Sequence, residues 1–251
     1  FRDVVADSWR KGDASLYGRF DLAYDGRGPA KLLEYNADTP TSLYESAAFQ
    51  WQWLEDQLAA GHLPTGADQF NGIHEALVER FRELFAPNTD IHFTAVANNA
   101  EDYATVESMA WAAREAGLGA HFTALADIGL SEDGQFADDK DRVIGTLFKL
   151  YPWEDMLRDD FAAHLQPSQT RFIEPPWKAV LSNKALLPLY VAHGITTVRD
   201  ASGDLPYQVL AWRSEIADGK LFGPTLLSSG PKIEGRSAAR MQRSSIRVDA
   251  R

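Results

Sequence analysis

The sequence predicts an α/β (α+β) chain, and three observations carry that reading. Two alternating apolar/polar runs near the start are split by turn residues, runs with helical apolar spacing follow, and a strand-helix-strand pattern occupies the middle. The first two runs, Arg19 to Tyr24 and Ala30 to Asn36, flank Asp25-Gly26-Arg27-Gly28-Pro29 and read as a β-hairpin. After it, Ser42 and Glu45 fit a capping box opening a helix to about Ala60, with Trp51 and Trp53 as packing residues. A loop over Gly61 to Gly66 leads to a second helix from about Asp68 to Phe85, with Phe70, Ile73, Leu77, Phe81 and Leu84 at helical spacing. A strand near Ile91 to Ala97, a helix from Glu101 to Ala116 and a strand from Ala120 to Ala126 form a β-α-β unit, which implies a small parallel sheet. Ser131 to Gln135 reads as a hairpin turn, Val143 to Lys149 as a strand ended by Tyr151-Pro152, and Trp153 to His164 as a helix.

Composition bounds the function. A chain of 251 residues with 45% hydrophobic content can bury a core of one or two domains. Its net charge of -11 argues against a nucleic-acid footprint, which needs a basic face. The acidity suits a cationic small molecule and equally suits solubility alone. Zero cysteines exclude disulfides, thiolate metal sites and cysteine nucleophiles within the chain, and the six histidines show no metal spacing. No stretch resembles a signal peptide or a membrane span, so no membrane partner and a cytoplasmic location are the expectations. The start at Phe1, directly before helix-like sequence, suggests that an upstream portion is absent.

The hairpin carries the chemistry. A turn centred on Arg27 and Gly28 sets Asp21 across from Glu34 and Arg19 across from Asn36, and the period of two puts all four on one face. Like charges opposed on a sheet repel, whereas a hard divalent cation is held by two carboxylates and an amide carbonyl. Arg19 beside them suits bidentate contact with a phosphate. The same alternation is also that of an ordinary solvated hairpin face. Glu101 and Asp102, following Asn98-Asn99 where a strand ends and a helix begins, fit either a ligand pocket or simple complementation of the helix dipole.

The segments Tyr17-Gly18-Arg19-Phe20-Asp21 and Leu33-Glu34-Tyr35-Asn36-Ala37-Asp38-Thr39-Pro40-Thr41-Ser42 resemble the synthetase domain of the glutathionylspermidine synthase family, an ATP-grasp fold. Further matching segments follow in order: Trp51 to Asp56, Asp68 to Asn71, Tyr151-Pro152-Trp153-Glu154, and Glu174-Pro175-Pro176-Trp177-Lys178 through Pro188. The resemblance covers about residues 1–189 and implies an incomplete ATP-grasp-like domain. It implies an ATP- and Mg²⁺-dependent carboxylate-amine ligase working through an acyl phosphate, with a peptide acid such as glutathione and an amine such as spermidine as substrates. It further implies Arg19 as the catalytic stabiliser of phosphoryl charge. Asp21, Glu34 and Asn36 would be Mg²⁺ ligands, Arg19, Asp21 and Lys184 nucleotide contacts, and Thr39, Glu101 and Asp102 substrate contacts.

After Pro188 the pattern changes. Val191-Ala192-His193-Gly194-Ile195-Thr196-Thr197-Val198-Arg199-Asp200 and the later run Gly219 to Pro231 resemble a strand-helix-strand piece of the amidohydrolase superfamily over about 190–235. Such a lone unit cannot close a barrel, so no hydrolase residues are assigned to it, and Arg199 and Asp200 are read as structural or solvent-facing. The tail from Arg236 to Arg251 has five arginines and one acid and is expected to lack fixed structure. The expectation is a chimera whose junction removes the ligase family's later nucleotide contacts and impairs turnover.

Overall fold

A computed structural model describes residues 2–28, 30–97, 99–183, 186, 189, 197–200, 206–220, 225–228, 233–234 and 246–247. Lys184, Pro188, Tyr190 and Val191 lie outside them. The contacts divide the chain into two compact units, one of residues 1–19 and 36–181, the other of residues 20–35 and 182–251.

In the first unit, α1 (Arg2–Lys11) leads to Arg19, the first residue of β1 (Arg19–Ala23); the rest of β1, and β2 (Lys31–Asn36) up to Tyr35, belong to the second unit. Next come α2 (Gln50–Ala59), α3 (Ile73–Leu84), β3 (Asp90–Ala95), α4 (Ala100–Glu115) and β4 (Gly119–Phe122). A short antiparallel pair, β5 (Gly129–Leu130) with β6 (Phe136–Ala137), precedes β7 (Thr146–Leu150), α5 (Trp153–Met156), β8 (Arg171–Ile173) and α6 (Pro176–Ser182). Strands β4, β3, β7 and β8 lie in that order in one parallel sheet.

The sheet is buried on both faces, so the polar residues interspersed with apolar ones in β3 and β7, namely His92, Thr94, Thr146 and Lys149, are buried as well. On one face Ile91, Phe93, Ala95, Phe148, Leu150 and Ile173 pack in one core with Leu77, Val78 and Phe81 of α3 and Val106 and Met109 of α4. Ala110, Ala112 and Ala113 of α4 are also buried there, their small side chains letting the helix lie close. On the other face Leu147 and Phe172 pack with Phe136, Ile144, Trp153 and Met156. Asn99 caps α4, its Oδ1 accepting from the amides of Glu101 and Asp102 at 3.2 and 3.3 Å. Gly117, at φ +88°, ends the helix as only a residue tolerant of the left-handed region can, and the Leu118 amide returns to the Ala113 carbonyl at 3.1 Å.

Several boundaries differ from the sequence reading. Ser42 precedes the helix, but its hydroxyl accepts from Arg19 at 3.4 Å, and the following turn, Glu45–Phe49, is a π-helix. The α3 helix begins at Ile73 because residues 68–72 are held outside it. The Asn71 side chain donates to the Ser46 carbonyl, and the Asn71 carbonyl accepts from Trp51 Nε1 at 3.1 Å. Phe70 is consequently fully exposed. The helix expected over residues 153–164 is split into α5 and a 3₁₀ turn, Asp160–His164. Strand β8 and helix α6 had no counterpart in the reading.

Two buried ion pairs join distant segments of the first unit. Lys149 Nζ donates to Asp38 Oδ1 at 2.6 Å and to the Tyr151 carbonyl at 3.0 Å, while Asp38 Oδ2 accepts from the Trp153 amide at 2.9 Å. Trp153 Nε1 donates to the Glu174 carbonyl at 2.9 Å. The Glu174 carboxylate accepts from the amides of Leu16 and Tyr17 at 3.1 and 2.9 Å and from Lys178 Nζ at 2.8 Å. Lys178 also donates to Ser15 Oγ and the Tyr17 carbonyl, so all three of its protons are used. Burial pulls the Lys149 pKa down against the opposing pull of Asp38.

In the second unit, β9 (Thr197–Asp200), α7 (Pro206–Ala217) and β10 (Thr225–Ser228) form a β-α-β with the strands parallel, Thr197 opposite Thr225. Within the tail expected to lack structure, β12 (Ile246–Arg247) pairs with β11 (Ile233–Glu234). The side chains of Arg199 and Asp200 are outside the described residues.

Breaking a buried pair from one side strands the other charge. Lys149→Met is expected to lower unfolding free energy by about 3–5 kcal/mol, with Asp38→Asn added to it restoring part of the loss; urea denaturation of the three chains checks this. A second expectation concerns His92, which is buried and hydrogen-bonds Asp138 at 3.2 Å. Burial lowers its pKa despite Asp138, so the unfolded chain takes up the proton first and stability falls as pH drops below about 6.5. Urea midpoints should decline between pH 7 and pH 5, and His92→Gln should flatten that decline.

Candidate functional site

Strands β1 and β2 form a two-stranded sheet. Phe20 stacks on Tyr35 across it, with ring centroids 4.2 Å apart and planes 23° from parallel. That cross-strand pair is one step from Asp21 and Glu34, so alternation sends the two acids to the opposite face from the stack. Along β1, Arg19, Asp21 and Ala23 are half-buried while Phe20 and Leu22 are exposed. The link between the strands bends through Gly26 and Gly28, both at positive φ, and Asp25 Oδ1 accepts from the Arg27 amide at 2.9 Å.

Arg19 is anchored by the loop that follows β2. Its NH1 donates to the Thr41 carbonyl at 3.2 Å and to Thr41 Oγ1 at 3.1 Å. Asn36, at the end of β2, buries its Nδ2 without a hydrogen-bond partner. A side-chain amide of this kind can turn Oδ1 to a cation and Nδ2 to a phosphate oxygen, so the donor set fits a hard metal ion carrying phosphate. Among the described residues no three His, Cys, Asp or Glu side chains are grouped for a metal.

Thr39 sits between buried Asp38 and Pro40, whose carbonyl accepts the Tyr17 hydroxyl. Burial, with Glu174 nearby, raises the Tyr17 pKa, so the phenol stays a donor. The ion pairs described above hold this whole neighbourhood: Glu174 grips the backbone entering β1, and Lys149 with the Trp153 amide grips Asp38, two residues beyond β2. Sequence reasoning missed these four charged residues. The usable signals were Lys149 within the apolar run Leu147-Phe148-Lys149-Leu150, and Glu174 and Lys178 four apart within a matched segment.

Glu101 and Asp102 lie apart from the hairpin in sequence, in the first turn of α4. Asp102 Oδ2 accepts from Asn99 Nδ2 at 2.7 Å. Burial first, then Glu101, raises the Asp102 pKa, with Asn99 opposing. A groove of about 470 Å³ lies at the carboxyl ends of β3 and β4, lined by Val96, Asn99, Tyr103 and Phe122 among others, with neither Glu101 nor Asp102 in its lining. The Tyr103 and Phe122 rings meet edge to face at 5.3 Å. Carboxyl ends of parallel strands are where α/β sheets take ligands. Among the described residues no helix is long and apolar enough to cross a membrane.

Comparison with known proteins places these residues in a lineage. A protein of Haemophilus influenzae named as an acid-amine ligase is 47% identical over 190 residues, spanning 74% of this chain and 47% of that protein. Trypanothione synthetase of Crithidia fasciculata is 26% identical across 72% of this chain and 31% of its own length. The bifunctional glutathionylspermidine synthetase/amidase of Escherichia coli is 27% identical across 72% and 32%. The chain thus spans about half, or about a third, of these relatives. A glutathione synthetase-like effector of Globodera pallida overlays with a TM-score of 0.48 at 15% identity, covering 71% of this chain and 45% of that one. These matches do not support the amidohydrolase resemblance read over 190–235, nor the chimera that it implied. Residues 1–193 match the glutathionylspermidine synthase preATP-grasp family, and the chain belongs to that family of ligases.

Proposed function

We propose that this chain carries the metal-binding and substrate-binding portion of an ATP- and Mg²⁺-dependent carboxylate-amine ligase that works through an acyl phosphate. The observation that carries the reading is the pair Asp21 and Glu34, on the face of the β1–β2 hairpin opposite the Phe20–Tyr35 stack, in a chain of this family. Carboxylate and amide oxygens on neighbouring strands are the donor types that a hard divalent cation takes. Asp21, Glu34 and the Asn36 amide would hold Mg²⁺, and ATP would supply the phosphoryl group that turns a carboxylate into an activated acyl donor.

Arg19 acts on the charge that moves during transfer. Its NH1 is held by Thr41, which fixes the fork in place and reduces the reorganisation needed at the moment of reaction. Lys184 adds a second cation for nucleotide phosphate, on the sequence resemblance alone. Thr39, between buried neighbours, contacts the peptide acid, of which glutathione is the candidate. The named relatives act in glutathionylspermidine and trypanothione synthesis. Spermidine is accordingly the candidate amine, received by Glu101 and Asp102 in the first turn of α4. A polycation there would give Asp102, whose pKa burial and then Glu101 raise, a partner of opposite charge.

Isothermal titration of Mg-ATP into the chain tests the hairpin. Saturable binding is expected, weakened at least tenfold by Glu34→Ala and unaltered by Asp133→Ala on the β5–β6 turn. Equal binding by the Glu34→Ala chain would remove the metal assignment. Spermidine binding without ADP release in the presence of glutathione would instead make the chain a non-catalytic amine-binding module.

A further inference from the structure

The second face of the sheet holds a cavity that the ligase reading does not use. It has a volume of about 230 Å³ and lies over Leu147 and Phe172, walled by Leu125, Ile128, Phe136 and Phe161. Two of these, Leu147 and Phe172, belong to adjacent parallel strands, paired Cα to Cα. Gly129 and Leu130 form a rim that is exposed to solvent. The cavity sits wholly in the first unit.

Its lining is apolar except at one end. There Lys149 and Tyr151 are the lining residues with a polar side-chain group other than the Met156 thioether. Lys149 spends two of its three N–H donors on Asp38 and the Tyr151 carbonyl. Its charge is already balanced by Asp38, and the ammonium also lies 5.0 Å from the centre of the Trp153 ring. Burial first, then the hydrogen bond and charge of Asp159, pushes the Tyr151 pKa up to about 12, so the phenol is neutral.

These features define an occupant. An apolar cavity of about 150 Å³ stays dry and takes benzene, and this one is larger, enough for a ring with a short substituent. A charged guest would enter a buried place whose only cation already has a partner, and would lose its hydration without gaining an ion pair. A neutral guest with one hydrogen-bond acceptor loses little and can meet the remaining Lys149 proton. We propose that this cavity is a binding site for a small, uncharged, mainly apolar molecule bearing a single carbonyl or comparable acceptor.

Glutathione and spermidine are both strongly charged, so the site is separate from the substrate positions proposed above and stands without them. Its guest would touch the same lysine that fixes Asp38 beyond the hairpin. Occupancy therefore bears on a residue that positions the chain near β2, through contacts already in place.

Amide-resolved NMR titration of the full chain with acetophenone, ethylbenzene and benzoate tests the proposal. Acetophenone should bind saturably, with the largest shifts at Leu125 to Leu130, Phe136, Leu147 and Tyr151. Ethylbenzene should bind about threefold to tenfold more weakly, and benzoate at least tenfold more weakly than acetophenone. Leu125→Trp, which fills the cavity from its wall, should abolish the shifts; if that variant fails to fold, the shift map of the unaltered chain decides by itself. Absence of saturable binding, shifts centred elsewhere, or benzoate binding as well as acetophenone would each overturn the assignment.

Discussion

Two buried ion pairs govern where the hairpin starts and ends. Glu174 and Lys178 are both essentially without solvent exposure, and so is Lys149, with Asp38 nearly so. Such charges are tolerated only with their hydrogen bonds satisfied, and here the satisfying groups are backbone atoms of distant segments. Glu174 takes the amides of Leu16 and Tyr17, more than 150 residues earlier in the chain, and Asp38 takes the amide of Trp153. The pairs thus convert a desolvation penalty into a positional constraint. Within the first unit, the backbone at Leu16 and Tyr17 and the Asp38 side chain are each held at a fixed point.

Arrangement of the site then follows from local physics. Alternation along two paired strands places Asp21 and Glu34 away from the Phe20–Tyr35 stack, and Thr41 immobilises Arg19. Asn36 keeps a buried donor with no protein partner, as an amide aimed at a phosphate would. The groove at α4 is built by different means, from a capped helix N-terminus and the ends of two parallel strands.

Much of this was legible in the sequence, and the reasons for success and failure differ by element. The hairpin, β3, α4 and β4 were readable because period-two alternation, the Asn99 cap and Gly117 are local signals. The start of α3 was not, because Phe70 continues the helical spacing while Asn71 is drawn to Ser46, a contact between distant positions. Ser42 was read as a cap because its offset from Glu45 is right, yet its hydroxyl serves Arg19, 23 residues earlier. The split of residues 153–164 reflects Trp153, whose ring and indole nitrogen are pinned to Phe172 and Glu174. Lys149 in an apolar strand was the visible anomaly, and only the fold shows that it serves Asp38. The amidohydrolase resemblance rested on short segments after Pro188, and a strand-helix-strand unit there is common to many α/β chains.

The central claim is that carboxylates of two paired strands hold a divalent cation for nucleotide chemistry. Substituting Mn²⁺ for Mg²⁺ in the presence of ATP and following amide signal loss by NMR tests it residue by residue. Selective broadening of Asp21, Glu34 and Asn36 at stoichiometric Mn²⁺, sparing Glu132 and Asp133 on the far turn, is the expected result. Broadening centred on Glu101 and Asp102, or none at all with ATP bound, would contradict it.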